Sequence, residues 1–175
     1  MIEIKFKKTV DEAELPTLGS DFAAGFDVKA WRILKAYKGD KEIVGDKLEN
    51  LQLSFEHRGG VKMRAFERIL FDTGLQLAGI ENIPEDKNIE LQVRPRSGIT
   101  LKEGLICHLG TVDSDFTGNI GIIMQNMTPF LIEVNKGQRL AQIVPNLIPS
   151  YELSLTDTIT ETERGSGGFG HTGKN

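Results

Sequence analysis

The sequence predicts an all-β domain, a jelly-roll or distorted β-barrel, on three observations. Apolar residues recur with a period of two in run after run, as half-buried strands require. Nineteen glycines among 175 residues supply turns between those runs. One stretch, residues 97–103, carries helix end signals, and it is short.

The elements follow in order. Ile2, Ile4 and Phe6 alternate with Glu3 and Lys5 and open the first strand. FDVKAW at 26–31 is a second β-rich run. Residues 38–50 then carry seven charges in thirteen positions, and are expected to form a solvated loop or edge excursion. Further β-rich runs are RILFDTGLQLA at 68–78 and Ile89, Leu91 and Val93 alternating with Glu90 and Gln92. In SGITLKE, at 97–103, Ser97 suits an N-cap and Gly104 a stop. Ile120, Ile122 and Met124 precede Asn126, and FLIEV (130–134) and RLAQIV (139–144) complete the set. Residues 161–175 are glycine-rich, with almost nothing apolar except Phe169, so they are expected to be a flexible tail rather than part of a core. The expected organisation is a barrel domain over 1–160 and a lid over 161–175.

Composition narrows the function classes. Hydrophobic residues make up 39% and charged ones 26%, as in an ordinary globular domain. No run approaches the roughly 18 consecutive apolar residues of a membrane helix. The start, MIEIKFKKTVDEAELP, lacks the pattern of a signal peptide, so a cytoplasmic or nuclear setting is expected. A single cysteine, Cys107, excludes an internal disulfide and a multi-cysteine zinc site. The net charge of −4 argues against nucleic acid as the main partner.

The tail matches two phosphate-binding patterns and fails both on context. Gly165 to Gly170 fits G-x-G-x-x-G, which needs a strand before it and a helix after it, yet the sequence given stops five residues later. Gly168 to Lys174 fits G-x-x-x-x-G-K, but Asn175 stands where Ser or Thr belongs. A segment of this composition can instead close over a ligand. Arg164 would grip a phosphate, Phe169 would stack on a flat ring, and glycine amides with Thr172 would cradle oxyanions. The bland alternative is a terminus with no function.

RGSGGFGHTG, 164–173, resembles the fifth motif of the trimeric dUTPases, and four further motifs stand in family order. Ala23-Ala24-Gly25-Phe26-Asp27-Val28 resembles the first, and Arg94-Pro95-Arg96-Ser97-Gly98 the second. Gly110-Thr111-Val112-Asp113-Ser114-Asp115-Phe116-Thr117-Gly118-Asn119-Ile120 resembles the third, and Lys136-Gly137-Gln138-Arg139-Leu140-Ala141-Gln142-Ile143 the fourth.

The resemblance implies hydrolysis of dUTP to dUMP and pyrophosphate by a homotrimer with sites at subunit interfaces. Asp113 is implied as the base that holds the attacking water; without the resemblance, an Asp in GTVDSD reads as a turn residue bonding its own backbone. Arg96, Ser97 and Gly98 open the expected helix, a fitting anion site, and are implied to bind the phosphates with Gln142. Arg96 pairing with a carboxylate at a strand end is the alternative. Asp27 either orients an arginine or helps hold the water shell of a Mg²⁺ ion bound mainly by the triphosphate. Uracil would be read by backbone groups of a hairpin at 105–110, ending at Gly110, and Phe116 would lie under the sugar where the family usually has tyrosine. Arg164, Phe169, Gly170, His171 and Thr172 would complete the site, with His171 in place of the usual serine.

From Asp27 to Arg96 is 69 positions, longer than the family's usual spacing, which places an insertion within 31–67. Two alternatives stand beside this reading: a nucleotide-gated, partner-binding protein on the same fold, and a related dCTP deaminase, which would lack the fifth motif.

Overall fold

The structure, a computed structural model, describes residues 1–166. Its backbone is built from β1 (Glu3–Lys8), β2 (Thr17–Leu18), β3 (Phe26–Lys29), β4 (Arg32–Lys38), β5 (Lys41–Ile43), α1 (Asp46–His57), β6 (Gly60–Met63), β7 (Glu67–Glu81), β8 (Lys87–Pro95), α2 (Ser97–Glu103), β9 (Leu105–Cys107), β10 (Gly110–Asp113), β11 (Asn119–Asn126), β12 (Ile132–Asn135) and β13 (Arg139–Pro149). The predicted alternation is realised directly. Ile89, Leu91 and Val93 on β8, and Ile120, Ile122 and Met124 on β11, all point into the core.

Six strands form one sheet in the order β5-β4-β7-β11-β9, with β1 also pairing β7. Five form a second in the order β10-β8-β13-β3-β2, and β12 pairs β6 alone. The long β7 has β11 on one edge and divides the other between two partners: its first half pairs β4, and its second half pairs β1. Between them Gly74 takes φ +68°, and a Cβ there would stand 2.5 Å from Val10 Cγ2 and 2.9 Å from Ala13 Cβ, so only glycine fits. The fully buried Asp72 carboxylate anchors this bend. It accepts from the Arg32 Nε (3.0 Å), the Asn119 amide (2.8 Å) and the Gly74 N–H (2.8 Å).

Two expectations about helices need correction. The charged 38–50 run contains the expected edge excursion in β5, but from Asp46 it enters a twelve-residue helix, so the described residues hold two helices rather than one. The reason is a sparse apolar face. Leu48, Leu51 and Phe55 recur at helical spacing, Phe55 is completely buried, and its ring lies 5.3 Å from that of Phe71. The charges occupy the outer face. In α2, the cap is Arg96 in an extended conformation with no side-chain cap bond, and Ser97 is the first helical residue; Gly104 stops the helix at φ +69°, as expected.

Sheet structure ends at Pro149, short of the expected boundary at 160, and residues 151–166 are exposed throughout. No helix among the described residues is long and apolar enough to cross a membrane.

Candidate functional site

Three adjacent strands of the five-stranded sheet assemble one cluster. Asp27 on β3 lies opposite Gln142 on β13, and Gln142 lies opposite Arg94 on β8. Arg96 follows directly after β8, so strand pairing alone brings it to Asp27. Arg96 Nε donates to Asp27 Oδ1 at 2.9 Å, and Arg139 Nη1 stands 3.3 Å from Oδ2. The two arginines are tied together as well, since Arg96 Nη1 donates to the Arg139 carbonyl at 2.9 Å. Gln142 Nε2 donates to the Pro95 carbonyl at 3.1 Å, which fixes its side chain beside the Arg96 backbone. Gly25 makes room for it, because a Cβ at 25 would collide with Gln142 Oε1 and sit 3.0 Å from its Cδ.

Of the two readings for Asp27, this geometry supplies the arginine-orienting one. Its side chain is 12% exposed and both oxygens face guanidiniums. The alternative for Arg96, a carboxylate partner at a strand end, is also present. Among the described residues Nη2 has no partner, so within them one edge of the fork is able to meet an anion. Ser97 and Gly98 are exposed at the start of α2 beside it.

Asp113 and Phe116 belong elsewhere in the same chain. Asp113 ends β10 and lies opposite Glu90, while Gly110 lies opposite Val93. Glu90 and Arg96 are six positions apart, about 20 Å along the strand at ~3.3 Å per residue. Asp113 is exposed, and the neighbouring Ser114 hydroxyl donates to Asn88 Oδ1 at 3.0 Å. The Phe116 ring is 45% exposed and folds over Gly118, where a Cβ would come within 2.5 Å of its Cζ. The expected hairpin at 105–110 is instead a corner between sheets: β9 pairs β11 in one and β10 pairs β8 in the other. His108 at that corner meets Gln125 Oε1 through Nε2 at 2.9 Å, and the backbone N–H of His108 donates to the Ile123 carbonyl. Arg164 is exposed in a turn in which the Gly165 N–H donates to the Thr162 carbonyl at 3.0 Å. The expected contacts Phe169, Gly170, His171 and Thr172 lie outside the described residues.

Sequence reading missed Arg139 as a site residue. It stands in the fourth motif three positions before Gln142, but only the pairing of β13 with β3 shows that it reaches Asp27. Among the described residues, no three His, Cys, Asp or Glu side chains gather as a metal cage.

The dUTPase family model matches residues 65–173, more than half of the chain. The deoxyuridine 5'-triphosphate nucleotidohydrolase of Heliobacterium modesticaldum is 34% identical over 177 residues, covering 99% of this chain and 98% of that one. Among solved structures, the dUTPase of Staphylococcus bacteriophage 80alpha with dUPNHPP is similar in fold, with a TM-score of 0.71 at 21% identity over 98% of each chain. A mutant dUTPase from phage phi11 of S. aureus, in which a structural Mg(II) ion is coordinated, has a TM-score of 0.64 at 17% identity, covering 91% of this chain and 99% of that one.

Proposed function

The chain belongs to the dUTPase family and hydrolyses dUTP to dUMP and pyrophosphate, and from that premise we propose that its active site is assembled between copies of the chain. The supporting observation is the separation along β8. Asp113 and the Arg96–Asp27–Gln142 cluster sit at opposite ends of one strand pairing, too far apart for one nucleotide's α-phosphate to meet both. A homotrimer that sets the β10 end of one copy against the β3–β13 end of the next removes the difficulty.

In that site Asp113 holds a water and takes its proton as the water attacks the α-phosphorus, and pyrophosphate leaves. A positioned base of this kind contributes about 10²–10⁴ in rate. Arg96, held by Asp27, offers its unpartnered Nη2 to the phosphates, with the Ser97 hydroxyl, the Gly98 amide and Gln142 around it. The corner at 105–110 presents peptide groups to uracil up to Gly110. A cytosine there leaves donors and acceptors unpaired, which is the basis of strong discrimination. The Phe116 ring packs under the deoxyribose, where a ribose 2′-hydroxyl has no space. Arg164, Phe169, Gly170, His171 and Thr172 close over the bound nucleotide. A Mg²⁺ ion would supply charge neutralisation on the triphosphate; among the described residues there is no cage for it, and Asp27 would reach it only through water, with an oxygen released by its arginines.

Two experiments test this. Pyrophosphate release from dUTP, with dCTP, dTTP and UTP far slower, is expected, and comparable rates for all four would sink the selectivity argument. Asp113→Asn and Arg96→Gln chains, each inactive alone, are unfolded together and refolded. Random mixing leaves about a quarter of heterologous interfaces with both native residues. Recovery of that fraction of activity supports a shared site, whereas no recovery refutes it.

A further inference from the structure

The segment expected as an insertion builds a cleft apart from the candidate site. β5, α1 and β6 border this cleft of about 1000 Å³, and none of the described site residues lines it. We propose that this cleft is a docking groove for an extended acidic peptide strand of a partner protein, with carboxylates alternating with apolar side chains.

Charge is the first argument. The exposed side chains of Lys38, Lys41, Lys47, Lys62 and Arg64 border the cleft, and among the described residues none of them is engaged in an ion pair. Three carboxylates share the lining, Glu42 (4.0 Å from Lys35), Asp46 and the buried Glu67, which accepts the Arg64 backbone N–H at 2.7 Å; five cations against three carboxylates leave an excess of two positive charges. This occurs in a chain of net charge −4. Like charges held together on an acidic protein repel one another and focus a positive field into the concavity between them, so an anionic occupant gains both attraction and relief of repulsion.

Shape and backbone indicate which anion. β5 is the terminal strand of the six-stranded sheet and pairs β4 alone, so its outer edge presents unpaired peptide groups beside the cleft. An extended chain can add to such an edge through main-chain bonds while its alternate side chains face the groove. Apolar contacts are ready for half of them: Val44 is 63% exposed at the rim, and Ile43 and Leu51 line the cleft half-buried. Among the described residues no aromatic side chain lines it, whereas binding of single-stranded nucleic acid relies on rings that stack bases. A strand of alternating carboxylate and aliphatic residues fits all three properties.

The test uses the full chain and a fluorescein-labelled octapeptide alternating glutamate and valine, followed by fluorescence anisotropy. Saturable binding that weakens as salt rises is expected. The triple variant Lys41→Glu/Lys47→Glu/Lys62→Glu is expected to bind at least about tenfold more weakly, the scale of several reversed charges around one site. Its kcat/KM for dUTP should be unchanged, which also reports that it folds. If that variant fails to fold, the milder Lys41→Gln/Lys47→Gln/Lys62→Gln set replaces it, with a smaller loss in the same direction. A peptide with glutamine for glutamate should not bind. The proposal is overturned if the triple variant binds as well as the wild type, if a glutamate–glycine octapeptide binds equally well, or if a single-stranded octadeoxynucleotide binds as tightly as the peptide.

Discussion

Replacing Asp27 by asparagine tests how Arg96, the arginine proposed to meet the phosphates, is held. The substitution keeps the shape and one acceptor oxygen but removes the charge and places an NH₂ group against a guanidinium. A hydrogen bond to a charged partner is worth about 1.5–3 kcal/mol net when shielded. Asp27 is shielded, at 12% exposed, but Arg96 and Arg139 are 29% and 53% exposed, so solvent screens part of the interaction. Discounting for that exposure leaves a stability loss of about 1–2 kcal/mol. Equilibrium urea unfolding measures it. Arg96, released, should also meet the triphosphate less well, and a tenfold fall in kcat/KM corresponds to about 1.4 kcal/mol of lost transition-state binding. The same variant separates the two roles open to Asp27. If it anchors Arg96, the kinetic defect persists at saturating Mg²⁺. If it acts only on the ion's water shell, excess Mg²⁺ restores activity. Full rescue by Mg²⁺, or an unfolding free energy and kcat/KM equal to the wild type, would refute the anchoring argument.

Four further outcomes are expected. Asp113→Asn should lower kcat by about 10²–10⁴ while calorimetry shows dUTP still bound; undiminished turnover removes Asp113 from its role. Gly118→Ala should force the Phe116 ring off its seat, since the new Cβ falls 2.5 Å from its Cζ, and raise KM for dUTP with little change in urea midpoint. Asp72→Asn should cost about 2–3 kcal/mol in urea unfolding, because the fully buried acceptor loses its charge while the Arg32 guanidinium, 33% exposed, is partly compensated by solvent. Burial pushes the Cys107 thiol from 9.0 up to about 11, so the folded chain keeps a proton that the unfolded chain releases. That contribution is whole below about pH 9 and is lost as pH rises towards about 11, so unfolding curves across this window should fall for the wild type and flatten in Cys107→Ala.

Most of the fold was legible because a half-buried strand writes its two faces into alternating residues. Ile89, Leu91 and Val93 needed only that rule, and so did Ile120, Ile122 and Met124. α1 escaped for a physical reason as well. Its inward face is three residues, Leu48, Leu51 and Phe55, set among charges that belong to its solvent side, and its cap, Gly45, contributes no side-chain bond to announce it. A helix stabilised by one buried phenylalanine against the barrel owes its existence to Phe71, a residue far off in sequence, and local pattern does not report such a debt. The hairpin at 105–110 was an expectation from the resemblance, and no local pattern tests it: which sheet each short run joins is decided by β11 and β8, which put a corner there.

The site was legible as a set of residues and illegible as an arrangement. Asp27, Arg96 and Gln142 stand far apart in sequence, and each carries a chemical reason to bind phosphate or hold an arginine. That they meet follows from the order β8-β13-β3, which no motif spells out. The same register that gathers them also sends Asp113 away, because β10 pairs with β8 from Val93 back to Glu90 rather than towards Arg96. Motif order along a chain therefore conceals a division of labour. In the proposed site, the Arg96 end of β8 holds the phosphates and the end opposite Asp113 carries the base, an arrangement about 20 Å long in one copy at ~3.3 Å per residue and short only where the two ends of different copies face each other.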